Sequence, residues 1–466
     1  MKYDIVVVEP FLNDIHQKIF FKNSEPNVPN LRLVYFLKNM GMKVKFIDLK
    51  HDNISFRELM SIINSSKLLM LDVRSYNFEL SKKIIQSTKT DVFVHGQMPT
   101  SLPEIFSSKF ITLVGDISNI YLLFFTEWIN HKKIKVNYFI NKIKKLSRNN
   151  LISLNYDEAK LDDMPFVDID EIKSRKYHIL YPYKSPVIDN FLRQKFGYLS
   201  LTFGCPFNCI FCSPTLRIST GKKVIHFSLE NALHRIKRLV DAGFKYIRFM
   251  DDEFTLDHKF VKELMKLMIK EKLNIRFTLQ TRITSLDDEV LGLLKKAGAY
   301  LLCLGFESAS DKILRVLKKG QRFSDIKRSV KLIKKHNFRF VSYFMIGSPN
   351  ETIYDVKKSM DFSLKIHPDV FQLAFFTIYP GSPIFYQLLH EKKKMILKTH
   401  LHYRGLDVNM SKIPMNKLKK FYLMWYLKYY LFNLDRLNRV ITPMILFRFD
   451  VVFLRIKNFV RSIIRQ

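Results

Sequence analysis

The stretch Thr202-Phe-Gly-Cys205-Pro-Phe-Asn-Cys209-Ile-Phe-Cys212-Ser-Pro214 holds three of the four cysteines in this 466-residue chain. The spacing C-x3-C-x2-C lets three thiolates bind three corners of a cubic iron–sulfur cluster. The fourth cysteine, Cys303, lies far downstream in an apolar run, so the fourth iron would stay open for substrate chemistry. A structural zinc site is the alternative, but zinc usually takes four protein ligands. We therefore predict a 4Fe–4S cluster on Cys205, Cys209 and Cys212.

Strand and helix patterns alternate six times between residues 196 and 390. The helical stretches have apolar residues spaced three and four apart, and several end at glycines suited to a left-handed cap. Six such units predict a partial, open (β/α)6 barrel, in which chemistry belongs at the carboxyl ends of the strands. The predicted strands are Tyr198–Phe203, Tyr246–Met250, Arg276–Leu279, Tyr300–Leu304, Phe338–Met345 and Val370–Phe376.

The cysteine loop, with Phe211 just before its last cysteine, resembles that of the radical S-adenosylmethionine (radical SAM) enzymes. Motifs at four predicted strand ends are similar to motifs of that family, in the same order. The last but one differs, because Asn350 stands where the family has a second Gly. The motifs are Asp251-Asp252-Glu253-Phe254-Thr255, Gly305-Phe-Glu307-Ser308, Gly347-Ser-Pro349-Asn350-Glu351-Thr352 and Tyr379-Pro-Gly-Ser-Pro383.

The resemblance implies a cosubstrate and a set of residues that bind it. The open iron would bind S-adenosylmethionine (SAM), and reductive cleavage at the cluster would give a 5′-deoxyadenosyl radical. Asp251–Glu253 would hold the SAM ammonium group, although a helix N-cap cluster is the alternative, and Arg282 would pair with the SAM carboxylate or lie at the rim. The cofactor-binding residues so implied are Phe211, Asp251, Asp252, Glu253, Arg282, Gly305, Glu307, Ser308 and Gly347.

Residues 1–130 alternate short apolar strands with helical stretches, which predicts a doubly wound parallel sheet. The strands are expected at Tyr3–Val8, Lys43–Ile47, Lys67–Val73, Asp91–His95 and Phe110–Val114. This part resembles the cobalamin-binding domain that precedes the barrel in one branch of radical SAM enzymes, so the resemblance implies bound cobalamin. The resemblance rests on Pro10, on the segment from Gly96 to Thr100 with Leu102-Pro-Glu104, and on Gly115-Asp116. Gln97, Met98 and Asp116 depart from the family pattern. Asp14-Ile-His16 is similar to the D-x-H-x-x-G cobalt-ligand motif but has Ile19 instead of Gly, and a surface His is the alternative.

Two further regions complete the chain. Residues 131–195 are predicted to be a connector, and residues 391–466 a basic, aromatic, helical region. From Met415 onward the latter has eleven Lys or Arg against two Asp, which suits either a helix on an anionic membrane surface or helices that close the barrel. The formal net charge of +34 fits an anionic partner or simply a solvated lysine-rich surface. Without a disulfide framework, a signal peptide or a long apolar run, the sequence predicts a cytoplasmic protein, with contact at the inner membrane surface left open.

The sequence favours one function over two others. The first is a cobalamin-dependent radical SAM methyltransferase acting on an unactivated carbon of a small, lipid-like or peptide-derived molecule, with flavodoxin or ferredoxin as electron donor. The second is a cobalamin-free radical SAM enzyme that catalyses cyclisation, oxidation or rearrangement. The third, a basic nucleic-acid-binding protein with a structural cluster, leaves the acids at the strand ends unexplained. Since Cys205 is the first cysteine and none follows Cys303, the chain has cysteines for one cluster.

Overall fold

The computed structural model describes residues 1–11, 25–175, 177, 194–212, 219–388 and 409–431. The amino-terminal part is built on a six-stranded parallel sheet, sheet A, with strand order 2-1-3-4-5-6. Its interior strands are buried on both faces, as expected for a doubly wound sheet. The strands are β1 (Tyr3–Glu9), β2 (Val44–Asp48), β3 (Ser66–Asp72), β4 (Asp91–His95), β5 (Ile111–Gly115) and β6 (Leu151–Leu154).

Helices cover both faces of sheet A. The first begins with Pro29 in its first turn and is followed by Gly41 at φ +86°, a conformation that glycine adopts without strain. The second begins with a capping box in which Ser55 and Glu58 satisfy each other's backbone donors. The helices are α1 (Val28–Asn39), α2 (Phe56–Asn64), α3 (Phe78–Ser87), α4 (Gln97–Ser101), α5 (Glu104–Ser107), α6 (Phe125–Ile129), α7 (Val136–Leu146) and α8 (Ile169–Ser174).

Sheet A extends past the predicted domain boundary at residue 130. Strand β6 comes from the predicted connector and pairs in parallel with β5, from Thr112 opposite Leu151 to Gly115 opposite Leu154. Its four residues form too short an apolar segment to stand out in the sequence, and helix α7 separates it from the other strands. The connector therefore contributes one strand to the first domain.

A second six-stranded parallel sheet, sheet B, forms the barrel, with strand order 14-13-12-11-10-7. The α/β fold class, with a doubly wound sheet before a partial (β/α)6 barrel and a carboxyl-terminal helical region, is thus confirmed. The strands are β7 (Phe196–Leu199), β10 (Tyr246–Phe249), β11 (Arg276–Thr281), β12 (Ala299–Glu307), β13 (Arg339–Ile346) and β14 (Val370–Phe375). The helices are α9 (Leu229–Asp241), α10 (His258–Lys270), α11 (Asp288–Lys296), α12 (Asp311–Val316), α13 (Phe323–Lys335), α14 (Ile353–Ile366) and α15 (Pro383–Tyr386).

The predicted first barrel strand, Tyr198–Phe203, is divided in the structure. Strand β7 ends at Leu199, and Thr202–Phe203 form a separate strand, β8, that pairs antiparallel with β9 (Ile225–His226). The cause is the Asp251 carboxylate, which accepts hydrogen bonds from the backbone N–H groups of Leu201 and Thr202. These donors are therefore unavailable to the barrel sheet.

The carboxyl-terminal helix α16 (Met415–Leu431) packs on the barrel with its aromatic face. Trp425, Tyr426 and Tyr429 are buried, and their rings contact Phe371. The described part of this region therefore packs against edge strand β14 of the barrel, and closure of the barrel mouth by a pair of helices stays a prediction. No helix among the described residues is long and apolar enough to cross a membrane. The basic residues Lys392–Lys394, Arg448, Arg455, Lys457 and Arg461, on which the membrane-surface alternative depends, lie outside the described residues.

Tyr426 also protects the free edge of sheet B. Its hydroxyl accepts a hydrogen bond from the Leu373 backbone N–H (3.1 Å) and donates one to the Leu373 carbonyl (3.3 Å) on edge strand β14. An edge strand otherwise leaves such groups without partners.

We expect Tyr426→Phe to lower the free energy of unfolding by about 1–3 kcal/mol, because two buried backbone groups lose their partner. Equilibrium denaturant unfolding measures this change. Tyr354→Phe on α14 is the matched control, since that side chain is 72% exposed and should change stability by less than about 0.5 kcal/mol. Equal stabilities for Tyr426→Phe and wild type would contradict the edge-protecting role.

Candidate functional site

A cavity of about 850 Å³ lies between the carboxyl ends of the two sheets. Its barrel wall includes the cysteine loop and residues that follow β10, β11 and β12. Its opposite wall comes from residues that follow β3, β4 and β5 of sheet A, together with the start of α1. The carboxyl edge of an open α/β sheet and the carboxyl face of a barrel are the usual ligand-binding positions of these folds.

The three cysteines of the loop line this cavity together. Cys209 is buried, Cys205 is half-buried and Cys212 is exposed. Burial raises the pKa of the Cys205 thiol, although a hydrogen bond from the Phe207 backbone opposes the shift. The loop is clamped in its middle: the Ile210 N–H donates to the Leu317 carbonyl (3.1 Å), and the Ile210 carbonyl accepts from the Ile384 N–H (3.1 Å).

The donor set suits a cluster better than a single metal ion. Within the described ranges, no three His, Cys, Asp or Glu side chains converge in a way that could hold one ion. A cubane does not require such convergence, because each thiolate binds a different iron. A soft donor set of cysteines on one cavity wall therefore fits an iron–sulfur cluster, and the assignment of Cys205, Cys209 and Cys212 as its ligands stays a prediction.

The three acids after β10 have three different environments. Asp251 is buried, and its Oδ1 accepts from the N–H groups of Leu201 (2.9 Å) and Thr202 and from the Thr202 hydroxyl (2.8 Å). Burial raises the pKa of Asp251 to about 6. Asp252 is exposed and lines the cavity, whereas Asp251 lies behind it, under the loop. Asp252 is thus the acid best exposed to a bound ammonium group.

Glu253 supports the neighbouring strand end. Its Oε2 accepts from the Arg282 backbone N–H (2.7 Å), and its Oε1 accepts from the Thr281 hydroxyl (2.8 Å). Burial raises the pKa of Glu253. The Arg282 side chain lines the cavity and stacks on Phe207 at 3.6 Å between the guanidinium carbon and the ring centroid. Both predicted residues therefore lie at the site, next to the cysteine loop.

Gly305 and Glu307 lie at the cavity with a partner that the sequence did not suggest. The Lys319 ammonium forms a buried ion pair with Glu307 Oε1 at 2.9 Å. A Cβ atom at Gly305 would approach Glu307 Oε1 to 2.6 Å and Lys319 Nζ to 2.8 Å. The glycine therefore makes room for this ion pair as well as for any ligand. Lys319 also lies 5.9 Å from the Phe211 ring centroid and lines the cavity.

Ser308 and Gly347 do not line the cavity. The Ser308 hydroxyl lies 3.1 Å from the Ser359 hydroxyl and accepts from the Ser310 N–H at 3.1 Å, so its visible role is to fix the turn before α12. Gly347 donates its N–H to Glu351 Oε2 at 2.6 Å and faces Leu418 of α16. Within the described part of the chain, both residues therefore support the barrel from behind the site.

Glu351, in the loop that follows β13, is a buried acid that should make the stability of the fold depend on pH. Its Oε2 accepts from the N–H groups of Gly347 and Ser348, and burial raises the pKa of Glu351 to about 8 from its ordinary value of 4.5. The folded protein therefore holds a proton that the unfolded chain releases above about pH 5.

Glu351→Gln should remove this proton linkage while the side-chain oxygen still accepts the two N–H groups. The raised pKa of Glu351 contributes its full stabilisation at pH values below the pKa of the unfolded chain, 4.5. This stabilisation is lost as the pH rises to the folded-state pKa of about 8. The stability of the wild type should therefore fall relative to Glu351→Gln between pH 5 and pH 8, by about 1.4 kcal/mol per pH unit. Denaturant unfolding at several pH values measures the difference, and parallel pH profiles would contradict it.

The sheet A wall carries its own buried polar groups. Asp72, at the end of β3, accepts from Arg74 Nε (3.2 Å) and Asn30 Nδ2 (3.0 Å). Burial alone would raise the pKa of Asp72, but the Arg74 charge holds that pKa below its ordinary value. Burial lowers the pKa of His95 at the end of β4. These residues, together with Gln97, give the cavity a polar wall opposite the cysteines. The Asp14-Ile-His16 motif lies outside the described residues.

Arg32, Arg74 and Lys319 are cavity residues that the motifs did not identify. Arg32 had a signal, because it is a charged residue within the buried stretch from Leu31 to Val34 of α1. It donates to the Ser200 carbonyl at 2.9 Å and stacks on Phe203, so it joins the first domain to the base of the cysteine loop. Lys319 had none, since it sits among many similar lysines.

Residues 199–363 match the Radical SAM superfamily. Together with the barrel and the cysteine loop in its predicted place, this match assigns residues 199–363 to the radical SAM class of enzymes. That class uses a 4Fe–4S cluster and SAM.

Three known proteins extend the comparison beyond the barrel. An uncharacterized methyltransferase of Pyrococcus horikoshii is 26% identical over 410 residues, which are 84% of this chain and 84% of that protein. TsrM from Kitasatospora setae, a radical SAM methyltransferase with cobalamin and a 4Fe–4S cluster bound, is 17% identical with a TM-score of 0.57, over 83% of this chain and 75% of TsrM. The cobalamin-dependent SAM radical enzyme OxsB, with aqua-cobalamin and SAM bound, is 15% identical with a TM-score of 0.65, over 92% of this chain and 67% of OxsB. These likenesses agree with the predicted α/β fold class.

Proposed function

We propose that this protein is a cobalamin-dependent radical SAM methyltransferase that methylates an unactivated carbon. The observation that carries the proposal is the single cavity whose one wall holds the three cysteines and whose other wall is the carboxyl edge of sheet A. Methyl transfer to a substrate radical requires the methyl carrier and the radical source to face the same substrate, and this geometry meets that requirement. The methyltransferase name of the Pyrococcus relative and the cobalamin bound in TsrM and OxsB support it.

When bound, the cluster and SAM would supply the 5′-deoxyadenosyl radical, and cobalamin would supply the methyl transfer. Cys205, Cys209 and Cys212 would hold the cluster. The protein's part is to orient these groups and to keep water away from them. The loop is suited to this part because Asp251 fixes its start and Leu317 and Ile384 hold Ile210 in its middle.

Charged side chains of both signs beside the loop suit the zwitterionic end of SAM. Asp252 is the exposed acid at the cavity and would face the SAM ammonium. Glu253 would keep the end of β11 in place through the Thr281 hydroxyl and the Arg282 N–H. The Lys319–Glu307 ion pair would lie beside Phe211, at the cluster end of the cavity.

The sheet A wall suits a large, amide-bearing ring such as a corrin. Asp72, Arg74 and Gln97 at the ends of the adjacent strands β3 and β4, together with Asn30 of α1, offer donors and acceptors. Cobalamin-free cyclisation, oxidation or rearrangement is the alternative function, in which this wall would contact the substrate instead. The two proposals differ in whether a corrinoid binds.

The remaining parts of the proposal concern surroundings and partners. A reducing compartment such as the cytoplasm suits a chain whose four cysteines, all within the described residues, form no disulfide bond. A one-electron carrier such as flavodoxin or ferredoxin would reduce the cluster, and the substrate would be a small, lipid-like or peptide-derived molecule.

Anaerobic reconstitution of the full chain with iron and sulfide should load about four irons per chain. Dithionite and SAM should then yield 5′-deoxyadenosine, measured by liquid chromatography. The triple variant Cys205→Ala, Cys209→Ala, Cys212→Ala should lose both iron and product. Cys303→Ala is the matched control and should keep both, because Cys303 lies buried within β12. If the triple variant still cleaved SAM, the cluster assignment would be wrong.

Expression with added cobalamin should give protein with a corrinoid absorbance. Gln97→Trp should lose most of that absorbance while keeping its iron, because an indole ring would fill the sheet A wall beside Ser75. Ile105→Trp is the control, since Ile105 is 40% exposed and lies away from the cavity.

A wild-type protein that cleaves SAM but binds no corrinoid would favour the cobalamin-free alternative. Corrinoid binding that is equal in wild type and Gln97→Trp would contradict the assignment of this wall.

A further inference from the structure

The Arg282 side chain makes two contacts to the cysteine loop. Its Nη1 donates towards the Cys209 sulfur at 3.7 Å. Its guanidinium plane lies over the Phe207 ring, which stands between Cys205 and Cys209 in the sequence, at 3.6 Å. The side chain is only 6% exposed, so both contacts are made in a site from which water is largely excluded.

The Arg282 guanidinium forms no ion pair with a carboxylate among the described residues, although its charge opposes the rise that burial causes in the pKa of the nearby Glu253. The nearby Glu253 carboxylate accepts the Arg282 backbone N–H rather than the guanidinium. The guanidinium Nε and Nη2 atoms are buried without a hydrogen-bond partner in the described chain. A buried cation without an ion-paired anion is costly, so an anionic group is expected in direct contact with it. A cluster held by three thiolates is anionic and would lie beside the Cys209 sulfur.

We propose that Arg282 is a positioning residue that sets the reduction potential of the cluster through the Cys209 sulfur. This inference rests on the cluster of the proposed function. Reduction adds one electron to the cluster and neither makes nor breaks a bond, so the cluster becomes more anionic by one charge. A nearby cation and an N–H donor to sulfur stabilise the more anionic state and thus raise the potential. This role differs from pairing with the SAM carboxylate, which the sequence suggested, because the effect of Arg282 on the reduction potential does not require bound SAM.

The test is an EPR-monitored redox titration of the reconstituted full chain without SAM, with titanium(III) citrate as reductant. In Arg282→Gln, the ratio of reduced to oxidised cluster at a fixed potential should fall about tenfold, which is a downward shift of about 59 mV for one electron. Arg282→Lys keeps the charge but loses the planar stack on Phe207, and its potential should lie between the two. Arg276→Gln, at the exposed start of the same strand, removes the same charge and should leave the potential unchanged.

Two results would overturn the inference. The first is an Arg282→Gln variant whose cluster has the wild-type reduction potential. If that variant also binds SAM more weakly, Arg282 would be assigned to the SAM carboxylate instead. The second result applies if Arg282→Gln fails to hold a cluster. The experiment then uses wild-type protein with nitrogen-15 in its arginine side chains. Pulsed EPR of the reduced cluster should then detect a coupled arginine nitrogen, and its absence would contradict the contact. A wild-type chain that binds no iron would instead defeat the proposed function itself.

Discussion

The position of the whole cysteine loop depends on a carboxylate oxygen at the end of β10. Oδ1 of Asp251 accepts the N–H groups of Leu201 and Thr202 and the Thr202 hydroxyl. These three bonds end β7 and direct the chain across the barrel mouth towards Cys205. They also offset part of the cost of burying the acid, and burial accordingly raises the pKa of Asp251 only to about 6. The start of the loop that would carry the cluster is therefore fixed by this side chain, and the bonds of Ile210 to Leu317 and Ile384 fix its middle.

The same loop base also joins the two domains. Phe203, on β8, lies between the Arg32 guanidinium of α1 (5.0 Å) and the Tyr156 ring (4.8 Å). The Ser219 hydroxyl accepts the Asp116 N–H at the end of β5, and the Ser219 carbonyl accepts the Tyr156 N–H. Sheet A therefore contacts the chain on both sides of the cysteine segment. A ligand between the walls would be held by two domains whose relative position is fixed next to the cluster loop.

Local patterns gave most of the fold and the barrel wall of the candidate site, since the cysteine spacing, the strand periodicity and the acids after strands are all short-range signals. Local patterns could not show whether a motif residue faces the cavity or the opposite side of the barrel end. Ser308 and Gly347 belong to motifs of the site, yet their contacts are with Ser359 and with α16, because successive residues of a tight turn point in different directions. Strand β6 was missed because its partner lies far away in sequence. The Lys319–Glu307 pair was missed for a different reason, because a lysine becomes distinctive only when the fold buries it.

The cavity charges separate into two kinds, and this separation gives the site its chemical character. Asp72 with Arg74 and Glu307 with Lys319 are pairs in which each buried charge is already compensated by protein. Such pairs rigidify the walls and have little free-energy reason to exchange their partners for a ligand. Arg282 differs, because its contacts in the described chain are a ring and a thiol. A positive charge without an ion pair therefore lies directly beside the cysteines, where an electron would be accepted, and Arg32 places a second one at the base of the cysteine loop.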